Sequence, residues 1–324
     1  MLSLIGARLA QSALVLVLMS LLVFAGVYAV GNPVDLLVNP QADQAEIARA
    51  TAALGLDRPI AEQYLVFLKD ALAGDLGRSF AYNVPAIGLI LERMPATIEL
   101  ATAAMLIALV LGIPLGLWAG VAPRSAAGRA IGAGAVLGYS LPTFWVGLLL
   151  ILVFSVWLGW LPTSGRGPTT SVAGIPVSFL SAEGLRHLAL PAANLALFNL
   201  SLFARLARSG AREAMQQDYV RFARAKGLGE GRVVGAHVLR NVLVPIATVA
   251  GVQFGSVIAF AVVTESIFAW PGMGKLLVDS IGALDRPVIV GYLCIVLVLF
   301  VAINLAVDLL VAWLDPRVRL GARS

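Results

Sequence analysis

Few residues of this sequence have the types and the spacing that catalysis or metal binding requires. The single cysteine, Cys294, lies in an apolar run, and His187 and His237 lie far apart without the spacing of metal ligands. The segment 272–275, Gly-Met-Gly-Lys, has the composition of a phosphate-binding loop but lacks the spaced upstream glycine and the following Ser or Thr. A tight turn after Trp270-Pro271 is the better interpretation. We therefore expect no catalytic residue, no metal site and no cofactor bound by this chain.

Polar side chains inside otherwise apolar segments are the next candidates for function. Such side chains are costly in lipid and tend to face the interior of a helix bundle or a water-filled cavity. They predict the lining of a solute pathway, with a hydrogen bond between helices as the alternative role for each of them. The candidates are Asn194, Asn199, Gln253, Ser256 and Asn304.

Membrane-spanning helices are the elements that would position these residues. Hydrophobic residues occupy 60% of the 324 positions and charged residues 13%, and the mean hydropathy is +0.91. Soluble globular chains are about half apolar and about a quarter charged. The pattern predicts an all-α polytopic membrane protein, with spans at about 9–30, 98–121, 131–157, 188–208, 241–264 and 288–313.

The first apolar segment has two interpretations. Val27-Tyr28-Ala29 resembles a signal-peptidase site, which would make the segment a cleaved signal peptide. However, the stretch from 9 to 30 exceeds the roughly 7–15 residues of a signal peptide's apolar region and is long enough to span a bilayer. A retained first helix is therefore favoured.

The distribution of basic residues predicts the orientation. With the N-terminus in the cytoplasm, 14 Lys and Arg residues lie on cytoplasmic segments, if Arg205 and Arg208 are counted with the loop after them, and 9 lie on the other side. Lys and Arg concentrate in the cytoplasmic loops of membrane proteins. We therefore expect a multi-pass protein of the bacterial inner membrane with both termini cytoplasmic. The net charge of +5 then reflects topology and does not indicate binding to nucleic acid.

A long segment, 31–97, separates the first two spans and would face the periplasm. Pro59 and Glu62 are typical of a helix start and Gly74 of a helix end. The segment predicts amphipathic helices on the membrane or on neighbouring spans, although a solvated loop is the alternative. The apolar residues at helical spacing are Ile60, Tyr64, Phe67, Leu68, Ala71 and Leu72. The predicted organisation is a first helix (1–30), a periplasmic insertion (31–97) and a five-helix core (98–324).

A second long segment, 209–240, would face the cytoplasm. Asp218 is expected to cap a short helix over 219–226 that Gly227 ends, and a further helix begins near Glu230 and runs into the fifth span. Tyr219, Phe222 and Ala223 would share one face of the short helix. This helix could rest on lipid headgroups or could be gripped by a cytoplasmic partner, and its pattern alone leaves both open.

The sequence of this segment is similar to the coupling-loop signature of ABC importer permeases, most closely in the dipeptide, oligopeptide and nickel branch. Arg221-Phe222-Ala223 takes the place of the Glu-Ala-Ala triplet that names the family's motif, and Gly227 matches the family's loop glycine. The residues that carry the resemblance are Asp218-Tyr219-Val220-Arg221-Phe222-Ala223-Arg224-Ala225-Lys226-Gly227-Leu228, with His237-Val238-Leu239-Arg240-Asn241 and Pro245 after them.

The resemblance extends over most of the chain. Segments 54–59, 74–80 and 93–97 look like the periplasmic insertion of the branch's B-type permease, and 265–274 and 315–317 look like its later segments. It implies half of a pore that imports peptides, nickel or another small solute by ATP-driven alternating access. It also implies a second, C-type permease, two ATPase subunits that hold ATP and Mg, and a periplasmic or lipid-anchored solute-binding protein. The implied contacts with the ATPase are Asp218, Tyr219, Arg221, Phe222, Ala223, Arg224, Lys226, Gly227 and Leu228.

Two other classes of protein are less compatible with the sequence. A secondary carrier usually has carboxylates or broken helices at the midplane of the membrane, and the deep parts of the predicted spans hold almost no ionisable residues. A membrane-embedded enzyme needs a catalytic constellation, and none is evident. The glycines at 112, 116 and 120, and those at 251 and 255, predict close helix contacts, either within the chain or with a second permease.

Overall fold

A computed structural model describes residues 2–29, 43–53 and 56–314. Parts of the resemblance, including Leu54-Gly55, residues 31–42 of the insertion and Asp315-Pro316-Arg317, lie outside these residues. An antiparallel hairpin of β1 (Thr170–Val172) and β2 (Ile175–Val177) was not predicted. The helices are α1 (Leu2–Ala29), α2 (Gln44–Ala53), α3 (Ile60–Leu72), α4 (Ala86–Val121), α5 (Ala126–Ser140), α6 (Thr143–Trp157), α7 (Ala182–Ala214), α8 (Asp218–Ala225), α9 (Glu230–Ile267), α10 (Met273–Gly282) and α11 (Arg286–Leu314).

The predicted all-α membrane fold is confirmed. Among the described residues, α4, α7, α9 and the part of α11 over Arg286–Val307 are each long and apolar enough to cross a membrane. Helix α1 contains a shorter apolar stretch, Ala13–Gly26. A helix therefore forms where the sequence predicted the first span, while its retention in the mature protein stays a prediction.

The segment predicted as one span over 131–157 forms two helices. Helices α5 and α6 meet at a bend of 108°. Leu141 between them is extended, with ψ of 134°, because the ring of Pro142 disfavours the helical conformation of the residue before it. Helix α6 then ends in a π-helical stretch, Ile151–Trp157. Hydropathy does not detect such a bend, because both arms are apolar.

The chain forms two compact units, and the larger consists of residues 95–274 and 303–324. Helix α7 is the central element of this unit, with α5, α6 and α9 packed against it. Helix α4 approaches α7 through its glycines. A Cβ atom at Gly112 would lie 2.8 Å from the backbone oxygen of Leu200, and one at Gly120 would lie 2.6 Å from Cβ of Ala211. The glycine face of α4 therefore packs within the chain.

The other unit consists of residues 1–94 and 275–302. The predicted amphipathic helix is present as α3, and Gly74 follows it with φ of 78°. Helix α3 packs on α1, because Tyr64 contacts the ring of Phe24 at 5.4 Å between centroids and Phe67 contacts it at 5.8 Å. Packing on a neighbouring helix, one of the predicted roles of this segment, is therefore observed for α3.

Candidate coupling surface and translocation cavity

Helix α8 is the short helix that the sequence predicted before the fifth span. It covers Asp218–Ala225, one residue earlier at each end than predicted. The expected capping role of Asp218 is wrong, because Gln217 occupies the N-cap position and no side chain caps the helix. Asp218 is instead the first helical residue, where its negative charge favours the positive end of the helix dipole.

Gly227 ends α8, as predicted. Its φ of 78° lies in the left-handed region, which is accessible to glycine at little cost. Its N–H donates to the backbone oxygen of Arg224 at 2.9 Å, and the N–H of Leu228 donates to that of Ala223 at 3.3 Å. These two bonds form a Schellman motif, which satisfies the last carbonyl groups of the helix. The end of α8 is therefore a defined structure.

The buried face of α8 differs from the predicted one. Val220 and Ala223 are buried, three positions apart, and the helix packs against the π-helical stretch Val233–Val238 of α9. The side chains of Tyr219 and Phe222, which were expected to share the apolar face with Ala223, are exposed. The prediction missed Val220, which lies three residues before Ala223 and therefore on the same face of the helix. Phe222 is therefore available at the surface.

Polar contacts hold α8 to the start of α9. The side-chain amide of Asn241 donates to the hydroxyl of Tyr219 at 3.0 Å. Arg224 donates to Glu230 at 2.7 Å, and this hydrogen bond raises the pKa of the Arg224 guanidinium above its usual value. The other charged residues of 218–226 stay at the surface. Arg221 pairs with Asp218 at 3.3 Å, and the ammonium of Lys226 lies 4.5 Å from the ring centroid of Phe222.

A cavity of about 550 Å³ lies between α5, α6, α7 and α9. None of the described residues that line it carries a formal charge, and its polar groups are amides and hydroxyls. It is lined by Tyr139, Thr143, Leu195, Phe198, Asn199, Leu202, Gln253, Ser256, Val257, Phe260, Val263 and Thr264.

The five predicted pathway residues have different environments. Asn199, Gln253 and Ser256 line the cavity, and the amide of Gln253 donates to Asn199 at 3.2 Å. Asn194 is buried and donates to the hydroxyl of Thr264 at 3.0 Å, so it links α7 to α9. Asn304 lies on α11 and is not part of the cavity wall. Asn194 therefore has the alternative role predicted for these residues, which is a hydrogen bond between helices.

The aromatic side of the cavity was not predicted. The rings of Tyr139 and Phe198 stack with centroids 4.6 Å apart, and the guanidinium of Arg205 lies 4.8 Å from the centroid of Tyr139. The sequence contained a signal for Arg205, which is a charged residue inside the predicted span 188–208. It was assigned to the basic loop that follows, and the proximity of Tyr139 is a tertiary contact.

Comparison with known families identifies the kind of protein. Residues 112–320 match the family described as the inner membrane component of binding-protein-dependent transport systems, and residues 1–101 match the N-terminal region of such components. The chain belongs to this family. It is thus a transporter permease subunit of the inner membrane.

The permease has curated relatives of nearly the same length. It is 40% identical to the di/tripeptide transport system permease protein DppB of Pseudomonas aeruginosa, over 98% of this chain and 99% of the relative. It is 37% identical to the dipeptide transport system permease protein DppB of Escherichia coli K12, over 93% of this chain and 94% of the relative. The resemblance to permeases of the dipeptide branch, inferred from residues 218–245, is confirmed.

A solved structure has the same fold. The permease superposes on a chain of the MetNI methionine ABC transporter with a TM-score of 0.55 and 16% identity, over 70% of this chain and 96% of that one. The fold of the permease is therefore that of an ABC transporter chain.

Two buried carboxylates lie at the edges of the predicted spans, Glu99 at the start of 98–121 and Glu265 just after 241–264. Glu99 of α4 accepts hydrogen bonds from Arg166 at 2.9 Å and from the backbone N–H of Ser178 at 2.7 Å. Glu265, near the end of α9, accepts one from the hydroxyl of Thr97 at 2.7 Å. Burial of a charge is tolerated where it is paired or fully hydrogen-bonded. In the sequence, each of these two residues is recognisable as a carboxylate near the end of an apolar segment.

The tight turn that the sequence favoured after Trp270-Pro271 is present, because the N–H of Gly272 donates to the backbone oxygen of Trp270 at 2.8 Å. Residues 273–275 of the permease then form the first turn of helix α10. A Cβ atom at Gly272 would meet the carboxylate of Glu265, and one at Gly274 would meet Val262 at 2.6 Å and a Glu265 oxygen at 3.0 Å, so the space beside these glycines is already occupied. The backbone N–H of Met273 donates to the hydroxyl of Thr97 at 2.8 Å. Among the described residues, no group of three or more His, Cys, Asp and Glu side chains has the arrangement of a metal site.

Proposed function

We propose that this permease forms one half of the translocation pathway of a bacterial ABC importer for di- or oligopeptides. The observation that carries the proposal is the continuity of α9. This helix begins beside α8, is bonded to it through Asn241, and contributes Gln253 and Ser256 to the cavity wall. A displacement of α8 is therefore transmitted to the cavity by a helix rather than by a flexible loop.

The permease works with partner proteins that supply energy and solute. It pairs with a C-type permease, two ATPase subunits and a periplasmic or lipid-anchored solute-binding protein. ATP and Mg²⁺ bind to the ATPase subunits, and this chain binds no cofactor. The exposed side chains of Tyr219, Arg221 and Phe222, with Gly227 and Leu228 at the helix end, form the surface for the ATPase. Lipids surround the apolar helices, and no nucleic acid is involved.

The orientation follows from the position of the ATPase. ATP is hydrolysed in the cytoplasm, so α8 and the start of α9 lie on the cytoplasmic side, and both termini lie there too. The segment 31–97 then forms the periplasmic insertion, and residues 98–324 form the core with its cytoplasmic coupling loop at 209–240. The excess of Lys and Arg on these cytoplasmic segments supports this orientation.

Alternating access is the proposed mechanism. Closure of the ATPase subunits around ATP moves α8, and α9 moves with it because Val220 and Ala223 are buried at their junction. Gln253 and Ser256 lie on α9, so their distance from the α7 side of the cavity changes. The cavity is thereby opened to one side of the membrane or the other.

The chemistry of the cavity favours peptides over the alternative solutes. Amide and hydroxyl groups bind peptide bonds through hydrogen bonds, and the aromatic rings accept apolar side chains. Nickel is bound well by imidazole and by N and O ligands in square-planar geometry, and the described wall contains no imidazole, carboxylate or thiol. The names of the relatives, which specify dipeptides and di/tripeptides, support the same solute class.

Purification and reconstitution test the proposal. We expect a tagged permease, extracted in mild detergent from its native host, to co-purify with a second permease and ATPase subunits. Reconstituted with the solute-binding protein in proteoliposomes, the complex should accumulate a labelled dipeptide only when ATP is supplied on the side of α8. Uptake of nickel rather than dipeptide would refute the solute class. Repeated recovery of the chain alone, under conditions that keep ABC complexes intact, would refute the assembly.

A further inference from the structure

Arg205 is a charged residue at the margin of the cavity. It lies in α7, within the apolar stretch that the sequence predicted as a span, and one turn beyond Leu202 of the cavity wall. Its guanidinium lies 4.8 Å from the ring centroid of Tyr139, which also lines the cavity. Phe198 stacks on the same ring at 4.6 Å. Phe198 and Arg205 are seven residues, or about 10 Å, apart along α7, so the ring of Tyr139 lies between them.

The contact with Tyr139 positions the guanidinium without neutralising it. A cation over an aromatic face is attracted by the ring but keeps its charge and its N–H donors. In the described part of the chain, Arg205 forms no salt bridge or hydrogen bond and has an exposed side chain. The carboxylates of α7, Glu183 and Glu213, lie near its two ends.

A second arginine increases the positive potential at this place. Arg208, one turn after Arg205, packs its guanidinium against Gly132 of α5, and its Nε is buried without a hydrogen-bond partner. Charged residues in a span usually face a cavity and mark the path of a solute. An arginine that keeps free donors beside an uncharged cavity is suited to bind an anion.

We propose that Arg205 binds the carboxylate of the transported solute at the margin of the cavity. This inference rests on the proposed function and specifies which part of a peptide the permease recognises. A planar guanidinium binds a carboxylate through two parallel hydrogen bonds. Every peptide with a free C-terminus carries this group whatever its side chains, so one arginine can serve solutes of many sequences. Besides the hydrogen bond between the amides of Asn199 and Gln253, Asn199 retains its N–H donors and Gln253 its carbonyl oxygen for the peptide bond.

Binding of dialanine to the assembled transporter tests the proposal without the solute-binding protein. The complex of both permeases and both ATPases is placed in nanodiscs, and saturation-transfer NMR reports contact with dialanine or with dialanine amide. We expect a signal for dialanine with the unaltered complex and roughly tenfold weaker binding with Arg205→Gln. Arg205→Lys should restore part of the binding, and the amide should bind weakly to every variant.

Arg212→Gln is the matched control, because Arg212 is also an exposed arginine of α7, two turns further along. It should bind dialanine as the unaltered complex does. Equal binding by Arg205→Gln and the unaltered complex would overturn the proposal, as would equal binding of dialanine and its amide. Nanodiscs with and without phosphatidylglycerol test whether the anion that Arg205 binds is a lipid headgroup and not the solute carboxylate. Loss of dialanine binding only when that lipid is present would assign Arg205 to the lipid and overturn the proposal.

ATP-driven uptake of dialanine, measured in proteoliposomes with the solute-binding protein, separates this inference from the proposed function. If the unaltered complex accumulates dialanine and Arg205→Gln does so at the same rate, the role of Arg205 is refuted and the peptide importer stands. If the unaltered complex accumulates no peptide, the proposed function itself is refuted. A lower uptake rate with unchanged stimulation of ATP hydrolysis by the solute-binding protein would support recognition of the solute by Arg205.

Discussion

At the scale of single residues, buried charges decide how the loops are held. Glu99 and Arg166 are almost completely buried, and Glu99 also accepts hydrogen bonds from the backbone N–H groups of Ser178 and Phe179. The pair therefore anchors both ends of the segment that carries the hairpin of β1 and β2. This pairing could not be predicted, because Glu99 and Arg166 are distant in sequence and no local pattern joins them.

Removal of one member of this pair should destabilise the protein. Glu99→Gln leaves the Arg166 guanidinium buried without its counter-charge, which costs about 3–5 kcal/mol. We expect a clearly lower melting temperature for the purified complex in detergent. The matched control is Glu62→Gln, which removes the partner of Arg58 from a half-exposed pair and should change stability by less than about 1 kcal/mol. Equal melting temperatures for the two variants would contradict a structural role of Glu99.

At the scale of elements, the ends and the contact faces of helices decide which residues are buried and which are exposed. The sequence predicted α3, α8 and the long helix α9 from local signals, namely the periodicity of apolar residues and the glycines that end helices. Hydropathy did not locate the bend at Leu141-Pro142, and the sequence pattern assigned the wrong apolar face to α8. The face depends on what the helix packs against, which is a tertiary contact.

The conformation at the end of α8 should be essential for coupling. Gly227→Arg puts a bulky charge and a strained left-handed backbone at the helix end, where φ is 78°. We expect the complex to assemble and to hydrolyse ATP, but dipeptide uptake in proteoliposomes should be lost. Gly229→Arg introduces the same side chain at an open position with φ of −65° and should retain uptake. Normal uptake by an assembled Gly227→Arg complex would exclude the coupling role of this segment.

Helix α4 should tolerate no side chain at the glycines that face α7. A Cβ atom at Gly116 would meet the backbone oxygen of Ala204, so Gly116→Leu forces the two helices apart at a cost of about 3 kcal/mol. We expect little of this variant in the membrane fraction. Gly134→Leu is the control, since nothing lies within 4 Å of the Cβ position at this helical glycine. Similar membrane levels of both variants would show that the contact between α4 and α7 is dispensable.

At the scale of the whole molecule, the proposed orientation can be tested by measuring from which side of the membrane a thiol is accessible. The chain has a single cysteine, so Cys294→Ser provides a background without thiols. In this background, Lys226→Cys places a thiol beside α8 and Ser171→Cys places one in β1, both at exposed positions. A membrane-impermeant maleimide should label Ser171→Cys in spheroplasts and Lys226→Cys in inverted vesicles. The opposite labelling would reverse the orientation of the termini and place α8 out of reach of a cytoplasmic ATPase.

The sequence alone determined the membrane environment, the order of the helices, the position of α8 and the family. Each of these depends on residues that are close in the chain, such as an apolar run or the motif from Asp218 to Leu228. The tertiary structure decided which of the polar residues line a cavity, because Asn199 and Gln253 meet only when α7 packs on α9. It likewise decided that Arg205 lies on Tyr139. Such contacts join residues that are far apart in sequence, and they depend on the packing of whole helices rather than on local propensity.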